Sequence, residues 1–233
     1  MFMRLMLIAQ ILCLSYTGMG QAAYSYGFNL SVGASRVPMN GEGIDFRAKI
    51  APSGSAGLFF QTKLKTRGLF GIEINVAQLE GRWSSDELIR DGAGNTIGTS
   101  STSGQQHITY ISLPIYSGIT IKSCTVYGGL QVGLAASGKR ANNTINTING
   151  NETTSEQLGN LSIILPDAGA RIGVIWRLSN KISLEGKYYQ GLINIFDQTT
   201  TLSNHVWITQ QVTVGARFAI RNTNDCGTCP AWN

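Results

Sequence analysis

Tyr24, Tyr26, Phe28, Leu30 and Val32 alternate one for one with Ser25, Gly27, Asn29, Ser31 and Gly33. A two-residue period of this kind belongs to a β-strand with one oily face and one small or polar face. The pattern recurs at 24–35, 54–65, 69–83, 106–121, 126–137, 167–178, 182–195 and 205–220. A tilted strand needs about 9–11 residues to cross a bilayer, and each of these segments is long enough. Their connections alternate in length: 36–53, 84–105 and 138–166 are long, 66–68, 122–125 and 179–181 are tight, and 196–204 is intermediate. Short turns at one rim and long loops at the other predict an all-β fold, an eight-stranded antiparallel up-and-down transmembrane β-barrel with both termini on the short-turn, periplasmic side.

A soluble barrel would turn its apolar phase inward, so the opposite phase decides the matter. Leu58, Phe60 and Leu64, then Phe70, Ile72, Ile74 and Val76, then Ile172, Val174 and Trp176, then Ile182, Leu184 and Tyr188 form one phase. The other carries Gln61 and Lys63, then Glu73 and Asn75, then Arg171 and Arg177, then Glu185 and Lys187. An oily core cannot hold that many charges without full pairing, whereas a polar bore surrounded by lipid can. With Lys65 facing Leu69, Lys63 is diagonal to Glu73. With Leu178 facing Ile182, Arg177 is diagonal to Glu185, and long side chains reach diagonal partners. These two ion pairs are expected inside the bore, with Arg171, Lys187 and Arg217 completing a hydrogen-bonded plug. Structural filling is preferred to a conduction path, because about eight strands enclose little more than side-chain volume.

Tyr24, Phe70, Trp176 and Phe218 fall in the outward phase near the tight-turn rim and are expected to form an interfacial girdle. Trp83 and Trp207 fall in the inward phase. Pro114 lacks the donor that a ladder needs, so a bulge or bend is expected in its strand, where Tyr110 and Tyr116 alternate against Ile111, Leu113 and Ile115.

The segment before the first strand fixes the compartment. Arg4 precedes the apolar run 5–14, and small residues follow at Gly18, Gly20, Ala22 and Ala23. This is the form of a secretory signal peptide, with Gly20 or Ala22 as the last residue removed. The run is shorter than the roughly 20 residues of a spanning helix. Cys13 lies behind Ile11 and Leu12 rather than in a lipid-attachment motif. The expected organisation is a signal peptide over 1–22, a barrel domain over 23–220 and a periplasmic tail over 221–233.

Composition agrees with a closed sheet: 42% of residues are hydrophobic, 13% are charged, and 28 glycines stand against 5 prolines. Without Arg4 there are 17 basic and 13 acidic side chains, so a formal charge of +5 becomes +4. Scattered basic residues of this kind argue against nucleic acid, whose binders carry a basic stripe with interleaved aromatics. They suit outer-membrane lipids and lipopolysaccharide. Cys226 and Cys229 are spaced to close a small disulfide loop in an oxidising compartment, or remain inert thiols. Pairing of Cys124 with a tail cysteine stays open. The tail supplies no further zinc ligands, and no metal or cofactor site is expected.

Catalysis has little to build on. His107 and His205 are the only histidines, and a hydrolase needs a serine within reach of one of them, oriented by a third group. Ser203 neighbours His205, and Ser103 and Ser112 neighbour His107, at no diagnostic spacing. The loop acids Glu42, Asp45, Asp86 and Glu87 read as solubilising, and Gly92-Ala93-Gly94 reads as a turn.

Tyr110-Ile111-Ser112-Leu113-Pro114-Ile115-Tyr116, the run Val126-Tyr127-Gly128-Gly129-Leu130-Gln131-Val132-Gly133, Asp167-Ala168-Gly169-Ala170-Arg171-Ile172-Gly173 and Tyr188-Tyr189-Gln190-Gly191-Leu192-Ile193-Asn194-Ile195 together resemble the PorT-like outer-membrane β-barrel family. The resemblance spans nearly the whole chain after the leader. It implies a barrel inserted by the outer-membrane assembly machinery, with some relatives serving protein secretion or gliding, and no shared catalytic residue. The tail beyond the last strand departs from that pattern. The expected protein is a non-enzymatic barrel of the bacterial outer membrane, acting in interaction, scaffolding or export with other envelope proteins. A narrow channel and a lipid-directed hydrolase are the alternatives.

Overall fold

In chain order the strands are β1 (Tyr24–Arg36), β2 (Met39–Asn40), β3 (Phe46–Lys49), β4 (Ala51–Lys63), β5 (Gly68–Arg90), β6 (Thr96–Ile121), β7 (Cys124–Ile148), β8 (Asn151–Asn160), β9 (Asp167–Arg177), β10 (Ile182–Gly191), β11 (Val206–Trp207) and β12 (Gln210–Asn222). The structure is a computed structural model that describes residues 23–40, 46–64, 67–160, 166–193 and 206–222. Eight strands close a ring, each antiparallel to the next, in the order β1, β4, β5, β6, β7, β9, β10, β12 and back to β1. Closure leaves no free edge in the ring, the condition for a sheet in lipid.

Orientation follows the two-residue period. Leu30 and Ile74 are 57% and 56% exposed, whereas their neighbours Asn29 and Glu73 are 2% and 1% exposed. The outer band continues through Leu58, Ile111, Leu113, Val132, Val174 and Val214, all exposed. A continuous apolar belt of this kind belongs against lipid. In β6 the outward phase is Ile111, Leu113 and Ile115, and Tyr110 and Tyr116 point inward.

Three features differ from the sequence expectation. First, 84–105 and 138–166 are not simply loops. β5, β6 and β7 run 23, 26 and 25 residues, and β8 pairs with β7 across the turn Asn149-Gly150. Asn149 and Gly150 have φ of 51° and 80°, the left-handed pair that a two-residue hairpin turn requires. Beyond the lipid-facing row that ends at Val76 and Ile111, the paired sheet continues for roughly 40 Å at about 3.3 Å per residue. β3 adds to its β5 side. Its inner face stays buried through Leu79, Trp83 and Ser85 on β5 and Gln106 and Ile108 on β6; further out both faces are wet, and there the period-two signal fades.

Second, Pro114 causes no bulge. It stays in register opposite Gln131, and the irregularity falls at Thr109/Tyr110. On the β5 side the same register resumes after the ladder skips Leu113 and Pro114, which accommodates the missing donor. Third, the last segment divides into β11, which pairs with β2, and β12. The expectations for residues 1–22, Glu42, Asp45, Ser203, His205, Cys226, Cys229, the Trp207 side chain and most of the tail lie outside the described residues.

Candidate functional site

The bore is filled in layers, and its middle layer is ionic. Arg171 on β9 places Nη1 3.0 Å from Glu73 Oε2 and Nη2 3.4 Å from Glu185 Oε1. Arg217 on β12 donates from Nη2 to Glu73 Oε1 at 2.8 Å and to the Tyr116 hydroxyl at 2.6 Å. Lys187 Nζ lies 3.5 Å from Glu185 Oε2. The Tyr127 hydroxyl donates to Glu185 Oε1 at 2.7 Å, and Asn75 and Asn29 donate to Glu73 at 2.9 and 3.4 Å. Three cations therefore surround two carboxylates on strands from opposite sides of the ring. Single charges there would be prohibitive, and mutual pairing with added hydrogen bonds offsets the desolvation.

Beneath the ions, toward the tight turns, Leu69, Tyr116, Tyr127 and Ile175 form a small apolar layer. The two tyrosine rings meet at 4.7 Å, and Arg217 lies over the Phe59 ring at 4.3 Å. Each tyrosine stands over a cross-strand glycine, Tyr116 opposite Gly71 and Tyr127 opposite Gly173. A Cβ on Gly71 would come within 2.3 Å of the Tyr116 ring, and one on Gly173 within 2.5 Å of the Tyr127 ring. These close approaches let two large rings share a narrow bore. A cavity of about 10 Å³ lies near Lys187 and Gln131, and one of about 50 Å³ at the tight-turn mouth.

Of the seven bore charges expected from the sequence, Glu73, Glu185, Arg171, Lys187 and Arg217 come together. Lys63 and Arg177 do not reach the carboxylates and stay at the tight-turn mouth. The β4–β5 register pairs Lys63 with Leu69, two residues from the expected pairing of Lys65 with Leu69. That shift carries Lys63 a further step from Glu73. The β9–β10 register is the expected one, with Arg177 opposite Ser183. Glu185 is nevertheless taken by the deeper cations, and the Arg177 side chain is exposed. Tyr116, Tyr127, Asn75 and Asn29 are partners that the charge pattern alone did not single out. The inward phase of β6 and β7 was the available signal.

On the outside near the tight turns, Phe70 and Trp176 are exposed, while Tyr24 and Phe218 are half-buried by stacking on Phe60 and Phe28. Tyr26, Phe28 and Phe60 are also exposed there. Among the described residues Cys124 has no disulfide partner.

At the long-loop rim, Glu80 accepts from Arg82 Nε at 2.5 Å and from Gln105 Nε2 at 2.7 Å. His107 lies beside them, 2.9 Å from Gln105 Nε2 and 3.8 Å from Glu80. Ser112 points into the bore, on the other face of β6 from His107, so the structure does not join them as nucleophile and base. Among the described residues no group of three or more His, Cys, Asp or Glu is arranged to hold a metal ion. Next to this cluster, the outer face of β3, β5, β6, β7 and β8 forms an open concavity of about 440 Å³ bordered by Lys49, Arg82, Gln105 and Glu156.

The sequence family described as outer membrane protein beta-barrel domain matches residues 15–197. No curated protein sequence matches the chain. Among solved structures, Ail, the attachment invasion locus protein of Yersinia pestis, is similar at 10% identity and TM-score 0.37, covering 86% of this chain and 100% of that one. Neisserial surface protein A is similar at 11% identity and TM-score 0.34, covering 84% and 97%. The outer membrane protease OmpT from Escherichia coli is similar at 8% identity and TM-score 0.38, covering 85% and 96%.

Proposed function

Because the chain belongs to the outer membrane protein beta-barrel domain family and resides in the bacterial outer membrane, we propose that it is a sealed, non-enzymatic anchor that holds an external β-sheet as an interaction surface. The observation that carries this reading is the contrast between the two halves of the molecule. The bore is crossed by paired charges, and the cavities beside them measure about 10 and 50 Å³, while β5 to β8 extend far beyond the lipid belt. A barrel built for passage needs an open lumen, and one built for display needs only a stable ring. Other envelope or secretion proteins are the partners proposed for the extension, in keeping with the PorT-like resemblance. Outer-membrane lipids and lipopolysaccharide surround the belt, and the barrel-assembly machinery inserts it.

Two measurements test this. Full-length protein in a planar bilayer is expected to give no conductance above background, and discrete openings would favour the narrow channel. Replacing residues 84–103 by a short turn is expected to leave the barrel folded, judged by different gel mobility before and after boiling, while abolishing capture of envelope partners by cross-linking in cells. Undiminished capture by the shortened protein would refute display by the β5–β6 part of the extension.

A further inference from the structure

The tight-turn mouth has a chemistry that plugging does not need. Its cavity of about 50 Å³ is bordered by Lys63, Lys122, Arg177 and Lys181, and its floor is Phe59, Leu69, Ile175 and Arg217. Among the described residues no carboxylate lines it, and no ion pair joins any of the four rim cations. Lys63 and Arg177 belong to the inward phase of β4 and β9, so they face the mouth and not the surrounding lipid.

Arg217 supplies an independent observation. It is 2% exposed, its Nη2 is taken by Glu73 and Tyr116, and its Nε has no hydrogen-bond partner in the protein. Arg217 lines that floor, and its buried guanidinium adds positive potential beneath the ring of cations, which favours an anion there. The rim is also held in place. Arg67 carbonyl accepts from Thr120 N at 2.7 Å, Ser123 from Arg177 N at 2.8 Å, Lys181 from Ala219 N at 2.8 Å and Ala23 from Lys63 N at 2.8 Å. Each turn is thus bonded to the next strand, and the cations start from an ordered backbone.

We propose that this mouth is a binding site for one soluble oxyanion, a phosphate or carboxylate group presented from the periplasm. The volume is several times the ~10–15 Å³ that one water needs, enough for such a group while the rest of a larger molecule stays outside. The site lies at the opposite end from the external sheet and does not depend on what that sheet binds.

The test uses the full-length protein in nanodiscs of zwitterionic phosphatidylcholine, titrated with inorganic phosphate and followed by amide chemical shifts. One saturable site is expected, shifting the amides of Ser123, Lys181 and Ser183. Affinity should fall at least about tenfold in Lys63→Gln/Arg177→Gln and drop as sodium chloride is raised. Lys49→Gln/Lys139→Gln, at the other rim, should leave it unchanged. Unequal mobility of boiled and unboiled samples verifies that each variant is folded. Equal affinity in Lys63→Gln/Arg177→Gln, or equal weakening by the control pair, overturns the proposal. In nanodiscs containing anionic phosphatidylglycerol the phosphate affinity should persist; its loss would assign the site to lipid headgroups and overturn the soluble ligand.

Discussion

Glu73 and Lys187 sit in the same ionic layer and are expected to respond differently to substitution. Glu73 accepts from both buried arginines, so Glu73→Ala leaves two guanidiniums short of a counter-charge and should cost about 3–5 kcal/mol. Lys187 is the surplus cation, and its Nζ makes no hydrogen bond. Lys187→Met should therefore change stability by no more than about 1 kcal/mol. Reversible urea unfolding in lipid vesicles measures both, and equal losses would contradict a cluster centred on the carboxylates. Gly71→Val drives a side chain into the Tyr116 ring and should destabilise by about 1–3 kcal/mol in the same assay. Outside the membrane, the Asp91 carboxylate accepts from the Asn95 side chain and from the Asn95 and Ala93 amides, which holds its pKa below the usual aspartate value. A depressed folded pKa means that the turn is favoured above the ordinary aspartate range, near pH 4, and loosens as pH falls through the folded value. Faster exchange of the Ala93 and Asn95 amides on acidification is the expected signature. The residues of the ionic layer were legible as charges in the small and polar phase. Their partners were not, because Tyr116 and Tyr127 meet Gly71 and Gly173 only through cross-strand register.

Strand by strand, the ring was readable wherever one face meets lipid and the other meets the bore, since that contrast writes a two-residue period. It failed where the contrast is absent. Ser, Thr and Asn crowd both faces of the outer parts of β6, β7 and β8, so 96–105 and 138–160 carried no alternation. The Asn149-Gly150 pair was the local sign of a hairpin there. The two-residue error at Lys63 has a similar origin: Lys63 and Lys65 share a phase, so alternation cannot choose between them, and only the turn geometry does. Gly150 has a φ that a β-branched residue resists. Gly150→Val should cost the β7–β8 hairpin about 1–2 kcal/mol, seen as lost amide protection in β8, with the gel mobility shift of the barrel retained. Loss of that shift would mean that the hairpin supports the ring.

For the molecule as a whole, lipid outside and paired charge inside are two aspects of one arrangement. The apolar belt removes the demand for an oily interior, and a bore too narrow for bulk water makes pairing of its charges obligatory. The proposed functions lie at the two ends, an extended sheet on one side and a cationic mouth on the other. Spin labels on single cysteines, introduced after the native cysteines are replaced by serine, test the arrangement directly in reconstituted bilayers. Labels at Leu30, Leu58, Ile74 and Val174 are expected to collide freely with oxygen, which dissolves in lipid, and labels at Ser31, Ser55 and Asn75 to be shielded from both oxygen and a water-soluble nickel chelate. Nickel access at the first set, or oxygen access without alternation between the sets, would contradict the account.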